Sequence, residues 1–240
     1  DLFFDAPVVE ATTDTGFLVQ GAFCGTINNV IIKSGEIRIG SANSGNQTYS
    51  GLVGEAYDIC ETSVISNQVD VKFVNENTNA NNKFVGLVGD LAMNNAGAGG
   101  EVVLTIENNT VDVQLVDPTN SGSFAESGTR VAGIMGSFGG SFSMYGHPDG
   151  GNDTDWSDDA SRAGGSEKIK FSGNTVTLDI GTYAVEFVAG LVHSSFGSDC
   201  VLLPQVVSDV TVLNADSVDK FGPVMLDGSI SKDGSCTNLP

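Results

Sequence analysis

Residues 66–89 read SNQVDVKFVNENTNANNKFVGLVG. The first half, Ser66-Asn67-Gln68-Val69-Asp70-Val71, sets an Asn before a stretch in which apolar and polar residues strictly alternate, the period of a half-buried strand. The second half, Phe84-Val85-Gly86-Leu87-Val88-Gly89, is an apolar run framed by glycines. Both halves recur along the chain in constant order. The Asn block returns at Asn28-Asn29-Val30-Ile31-Ile32, Asn108-Asn109-Thr110-Val111-Asp112-Val113, Gly173-Asn174-Thr175-Val176-Thr177-Leu178 and Ser208-Asp209-Val210-Thr211-Val212. The Gly block returns at Tyr49-Ser50-Gly51-Leu52-Val53-Gly54 and Val131-Ala132-Gly133-Ile134-Met135-Gly136, and more faintly at Val188-Ala189-Gly190-Leu191-Val192-His193 and Phe221-Gly222-Pro223-Val224-Met225. Gly51 and Gly86 stand 35 positions apart, and later intervals are stretched by insertions.

A third apolar stretch precedes each Asn block, as in Ile59 to Ile65, Val102 to Ile106, Ile169-Lys170-Phe171 and Val201-Leu202-Leu203. Three short strands per repeat with Asn, Gly and Asp at the turns predict an all-β chain coiled as a parallel β-solenoid of about five to six three-strand coils. An Asn at the same corner of each coil can adopt the left-handed backbone conformation and hydrogen-bond up the stack. The framing glycines let backbones approach closely. A β-sandwich, which also has short strands at regular spacing, is the alternative.

The Asn-Asn-x-Val-x-Val corner resembles the repeat of right-handed parallel β-helix proteins, and Gly-Leu-Val-Gly resembles the GLUG motif of bacterial surface proteins and adhesins. The resemblance covers roughly residues 25–226. It implies a right-handed β-helix and a structural or adhesive role, and the sequence departs from it in a long insertion and in the degenerate copies at His193 and Pro223.

The repeats divide the chain into residues 1–23, an apolar arm or cap; residues 24–226, the β-helix domain, with an Asp- and Gly-rich insertion at 137–167; and residues 227–240, a polar tail. Leu2, Phe3, Phe4, Val8 and Val9 read as an assembly arm, able either to cover the chain's own first coil or to add to the edge of a neighbour. Solenoid ends expose strand edges that are capped or paired, and head-to-tail contacts that do not close give filaments. A filament-forming subunit is therefore one expectation, a self-capped module the other.

The chain carries 240 residues, 40% of them apolar and 17% charged, with 31 Gly and 6 Pro. This is a globular composition without a collagen or linker signature. Ten Lys and Arg against thirty Asp and Glu give a formal charge of −20. The basic residues are scattered, so nucleic acid is a poor partner, and anionic membranes and polyuronates are disfavoured. No apolar run reaches the ~18 residues of a membrane helix, so membrane insertion is not expected.

Cys24 and Cys60 are 36 positions apart, as are Cys200 and Cys236. The symmetry suggests two disulfides, Cys24–Cys60 and Cys200–Cys236, although four cysteines allow three connectivities and four free thiols remain the alternative. Disulfides imply a secreted, extracellular or cell-surface setting, and a chain starting at Asp1 without Met fits either a mature secreted protein whose leader was removed or a chosen segment of a longer one.

If Val69, Val71, Val111, Val113, Val176, Leu178, Val210 and Val212 face inward, the residues between them form outward ladders. One is Asp70, Asp112, Thr177, Thr211 and the next is Lys72, Gln114, Asp179, Leu213. Rows this mixed rank an ice-binding protein as the second alternative, behind a carbohydrate-binding or polysaccharide-degrading β-helix protein, and a single Trp, Trp156, argues against an aromatic sugar platform. Glycan binding or polysaccharide hydrolysis would need two carboxylates with separated acidities. Asp70 and Asp112 are such a pair, yet with thirty acidic residues a solvated acidic face explains them as well. No nucleophile carries an activating motif and no metal spacing appears around His147 or His193, so the expectation is a protein without enzymatic activity. Asp149, Asn152, Asp153, Asp155 and Asp158 crowd the insertion with hard oxygen donors. They read either as a Ca²⁺ site, which takes six to eight oxygens, or as a solvated loop. The partner expected is another copy of the chain or an extracellular surface component.

Overall fold

The computed structural model describes residues 2–22, 25–42, 47–57, 62–77, 82–92, 103–120, 124, 129–138, 168–181, 183, 185, 187–194, 206–213, 220–226 and 229–230. Every regular element among them is a strand. In chain order these are β1 (Leu2–Asp5), β2 (Val8–Ala11), β3 (Thr15–Gly16) and β4 (Val19–Ala22); β5 (Gly25–Asn28), β6 (Val30–Ile39), β7 (Thr48–Ser50) and β8 (Val53–Tyr57). Then come β9 (Thr62–Ile65), β10 (Gln68–Asn75), β11 (Lys83–Val85) and β12 (Val88–Ala92), followed by β13 (Val103–Glu107), β14 (Thr110–Val116), β15 (Arg130–Ala132) and β16 (Met135–Phe138). The last are β17 (Lys168–Asp179), β18 (Phe187–Ser194), β19 (Val206–Leu213), β20 (Lys220–Leu226) and β21 (Ser229–Ile230).

Strands alike in sequence lie side by side. One row runs β1 and β2, β6, β10, β14, the second half of β17, then β19; beside it run β5, β9, β13 and the first half of β17. Two further rows run β3, β7, β11, β15, β18 and β4, β8, β12, β16, β18, with β20 beyond. The pairings are parallel throughout, apart from the antiparallel β20–β21 contact. Stacked parallel sheets of this kind are consistent with a β-solenoid, and the β-sandwich alternative, which needs antiparallel sheets, is set aside.

A three-strand repeat is corrected to four short strands. Each Gly-framed block crosses two rows, because Gly86-Leu87 forms a corner between β11 and β12, as Gly51-Leu52 does between β7 and β8. The sequence reads as one run since both arms and the corner leucine are apolar, and Leu52 and Leu87 are fully buried. Leu52 and Val53 both donate their N–H to Leu87 O, at 3.0 Å. A Cβ on Gly86 would sit 2.3 Å from Gly133 O and 2.4 Å from a Val111 methyl; on Gly51 it would meet Gly86 O at 2.1 Å. Only a residue without a side chain lets one corner rest on the next.

At the other corner two tasks fall to two residues. The left-handed conformation belongs to Asn29 (φ 54°), Ser66 (φ 56°), Asn108 (φ 56°) and Gly173 (φ 62°). The residue after it carries the buried hydrogen bonds. Asn67 Nδ2 donates to Asn109 Oδ1 at 3.0 Å and Asn109 Nδ2 to Asn174 Oδ1 at 2.9 Å. The same amides donate to Ile27 O and Val64 O, and Asn174 Nδ2 to Ile106 O. The acceptors also take the backbone N–H groups of Val30, Asn67 and Asn109. Register puts Asn29 beside Ser66, so Val30 holds the place of the ladder asparagine in its repeat.

Inside, β-branched rows stack in register: Ile32, Val69, Val111 and Val176 are each about 1% exposed or less. Between rows sits an aromatic chain, Tyr49 on Phe84 (5.7 Å between ring centres), Phe84 on Phe124 (5.0 Å) and Phe124 on Tyr183 (5.1 Å), with Phe73 edge-on to Phe84. Residues 2–22 also belong to the stack. Leu2 to Asp5 pair with Val30 to Lys33, Val8 to Ala11 with Glu36 to Ile39, and Val19 with Val53.

Candidate functional surface

The outer face of the row from β1 to β19 presents described side chains on successive strands. Its ladders follow the sequence expectation: Asp70, Asp112, Thr177 and Thr211 are consecutive register partners, and so are Lys72, Gln114, Asp179 and Leu213. Val69, Val71, Val111, Val113, Val176 and Leu178 are buried, as the alternation requires. Val210 and Val212 continue the register.

Parallel neighbours lie about 4.8 Å apart, so Asp70 and Asp112 stand side by side above a shallow groove lined by Phe3, Lys33, Gln68 and Thr110. Asp70 is already engaged. Ser34 donates its backbone N–H to Asp70 Oδ2 at 3.0 Å and its hydroxyl at 3.4 Å. Ser34 has a φ of 54° and sits where β6 carries one residue more than β10. The carboxylate thus satisfies a bulge whose N–H lacks a ladder partner.

Farther along the same strands an ion-pair network has formed. Arg38 Nε bonds Glu36 Oε1, Arg38 Nη1 lies 3.4 Å from Glu10 Oε1, and Lys72 Nζ lies 3.7 Å from Glu36 Oε2. The hydrogen bond from Arg38 is the largest influence holding the Glu36 carboxyl below its ordinary range, with Arg38 and Lys72 charges adding to it against partial burial. Glu36 in turn raises the Arg38 guanidinium. The network arises from the register of β2, β6 and β10, which Glu10, Glu36, Arg38 and Lys72 do not announce as a motif.

The expected arm residues Leu2, Phe3 and Phe4 fall in β1, and Val8 and Val9 in β2. Phe4 packs on the core, whereas Leu2, Phe3 and Val8 are 44%, 58% and 52% exposed. Leu213, at the far end of the row, is 44% exposed. Cys24, Cys60, Cys200 and Cys236 lie outside the described residues, as do Asp149, Asn152, Asp153, Asp155 and Asp158. Ala22 pairs with Tyr57 and Gly25 with Thr62 on the flanks of the first cysteine pair. Among the described residues no group of three or more His, Cys, Asp or Glu could hold a metal ion, and no helix is long and apolar enough to cross a membrane. No family model, curated protein or solved structure matches the chain.

Proposed function

We propose that the chain is an extracellular structural or adhesive module, a right-handed parallel β-helix of about five to six coils in the manner of the GLUG-repeat surface proteins its corners resemble. The observation that carries this reading is the pair of continuous columns, buried asparagines at one corner and touching glycines at the other. Such columns tie each repeat to its neighbour and yield a stiff spacer. The outer face is chemically mixed along its ladders, which suits contact with an extracellular surface component rather than a repetitive crystal plane. Two disulfides, Cys24–Cys60 and Cys200–Cys236, would fasten the ends in an oxidising medium. The Asp-rich stretch 149–159 would take Ca²⁺ there and relieve repulsion among its own carboxylates.

Immunogold labelling of thin sections of source cells with antibody to the full chain tests the reading. Label on the cell surface or in extracellular material is expected, and label confined to the cytoplasm overturns it. The second reading, a polysaccharide-degrading β-helix, rests on the Asp70 and Asp112 juxtaposition. It requires that reducing ends be released from a neutral polysaccharide and that Asp112→Asn abolish the release.

A further inference from the structure

The large apolar side chains left exposed among the described residues are Leu2, Phe3, Val8 and Leu213. All four lie on the first and last strands of one parallel row. Val8 pairs with Glu36, Glu36 with Lys72, Lys72 with Gln114, Gln114 with Asp179 and Asp179 with Leu213. Val8 and Leu213 are therefore the two ends of a single outward ladder whose interior rungs are charged or polar. In an isolated rod there is no physical reason for the ladder to become apolar at both ends and nowhere between.

We infer that β19 of one copy pairs in parallel with β1 and β2 of a second copy, head to tail, with Leu213 seated against Val8. This deepens the structural reading above and rests on it. Among the described residues β1 and β2 pair only with β6, and β19 only with β17. Among the described residues no further strand lies beside either outer edge, and the edges of β1 and β19 are where a second copy would pair. The other end row is treated differently, since β21 folds back antiparallel over Met225 and Leu226 of β20. The joint is thus assigned to the β1 to β19 row.

The facing rungs also avoid like charges, although Asp209 comes beside Phe3. Extending the register by one repeat puts Thr211 beside Asp5 and Leu213 beside Val8. The hydroxyl can donate to the carboxylate, and neither rung opposes two acids. Inside the chain, by contrast, Asp70 faces Asp112. The contact is heterologous and does not close, so it propagates into a filament. A chain of charge −20 resists this at low salt, and assembly is expected to require screening.

The test uses the full chain in sedimentation velocity and negative-stain microscopy at about 1 M NaCl, where the screening length is about 3 Å, and at low salt. Concentration-dependent linear oligomers at high salt are expected. Val8→Asp disables one end and Leu213→Asp the other, so each variant alone loses all oligomers. Their equimolar mixture regains one joint and stops at the dimer. Both side chains point outward, so the melting curves should match the parent; Val8→Lys and Leu213→Lys repeat the test if an aspartate unfolds its end strand. A monomeric parent at every salt and concentration overturns the inference. So do oligomers that survive both substitutions, or a mixture without dimers. Surface label on cells together with a monomeric chain in solution would overturn the joint and leave the structural role standing.

Discussion

Asn109 is the centre of the buried corner. Its Oδ1 accepts from the Asn67 amide and backbone, and its Nδ2 donates to Val64 O and Asn174 Oδ1. Asn109→Leu keeps the branched outline of the side chain and leaves those groups without partners in the interior, at about 1–3 kcal/mol for each group stranded. A loss of at least about 3 kcal/mol is expected in urea unfolding, with the midpoint lowered. Gly86→Ala acts by overlap instead. Its methyl would lie 2.3 Å from Gly133 O, a backbone atom that cannot rotate aside. We expect destabilisation of about 1–3 kcal/mol, checked by thermal melting, whereas Gly40→Ala, where the added carbon meets nothing, should leave the melting temperature within a degree or two.

At the scale of strands, alternation made the outward ladders legible, because Val69, Val71, Val111 and Val113 can only face one way once the period is two. The Asn corner was legible as a motif and misplaced by one residue in its first copy: Asn28-Asn29 offers two asparagines, and only register shows that Asn29 takes the bend while Val30 takes the ladder position. The first repeat escaped notice for a similar reason. Gly16-Phe17-Leu18-Val19 has one residue more between its glycine and Leu-Val than Gly51-Leu52-Val53, yet Gly16 pairs with Ser50 and Val19 with Val53. The ion pairs among Glu10, Arg38, Glu36 and Lys72 depend on a register that the bulge at Lys33 and Ser34 shifts, so no linear pattern encodes them. They have a measurable consequence. The native fold lowers the Glu36 pKa, so its contribution to stability is complete above the ordinary glutamate range near pH 4.3 and is lost as pH falls through the native value. Glu36→Gln should therefore flatten the part of the stability profile just below about pH 4, read from urea midpoints between about pH 2 and 7.

Over the whole molecule, stability is distributed along a line. Each repeat touches the one before and the one after, so the two asparagine and glycine corners act as fasteners repeated along the stack rather than as one central core. The aromatic chain from Tyr49 to Tyr183 adds a second fastening between repeats. Among the described residues the end strands of this row have one neighbour where interior strands have two, so outward side chains there lose the cover of an adjacent strand.

The direction of the hydrogen bonds has a mechanical meaning. Strands lie across the stack, so the bonds between them point along it, and tension applied between the two ends opens them one rung at a time. A rung occupies about 4.8 Å of the stack, whereas the 35 residues between Gly51 and Gly86 reach about 120 Å when drawn out at ~3.4 Å each. Every rung that yields lengthens the tether roughly twenty-five-fold over the thickness it filled and leaves the remainder intact. Optical-tweezer pulling from the two termini under reducing conditions should show a staircase of low-force lengthening steps, the behaviour of a shock absorber that dissipates work before its attachment lets go.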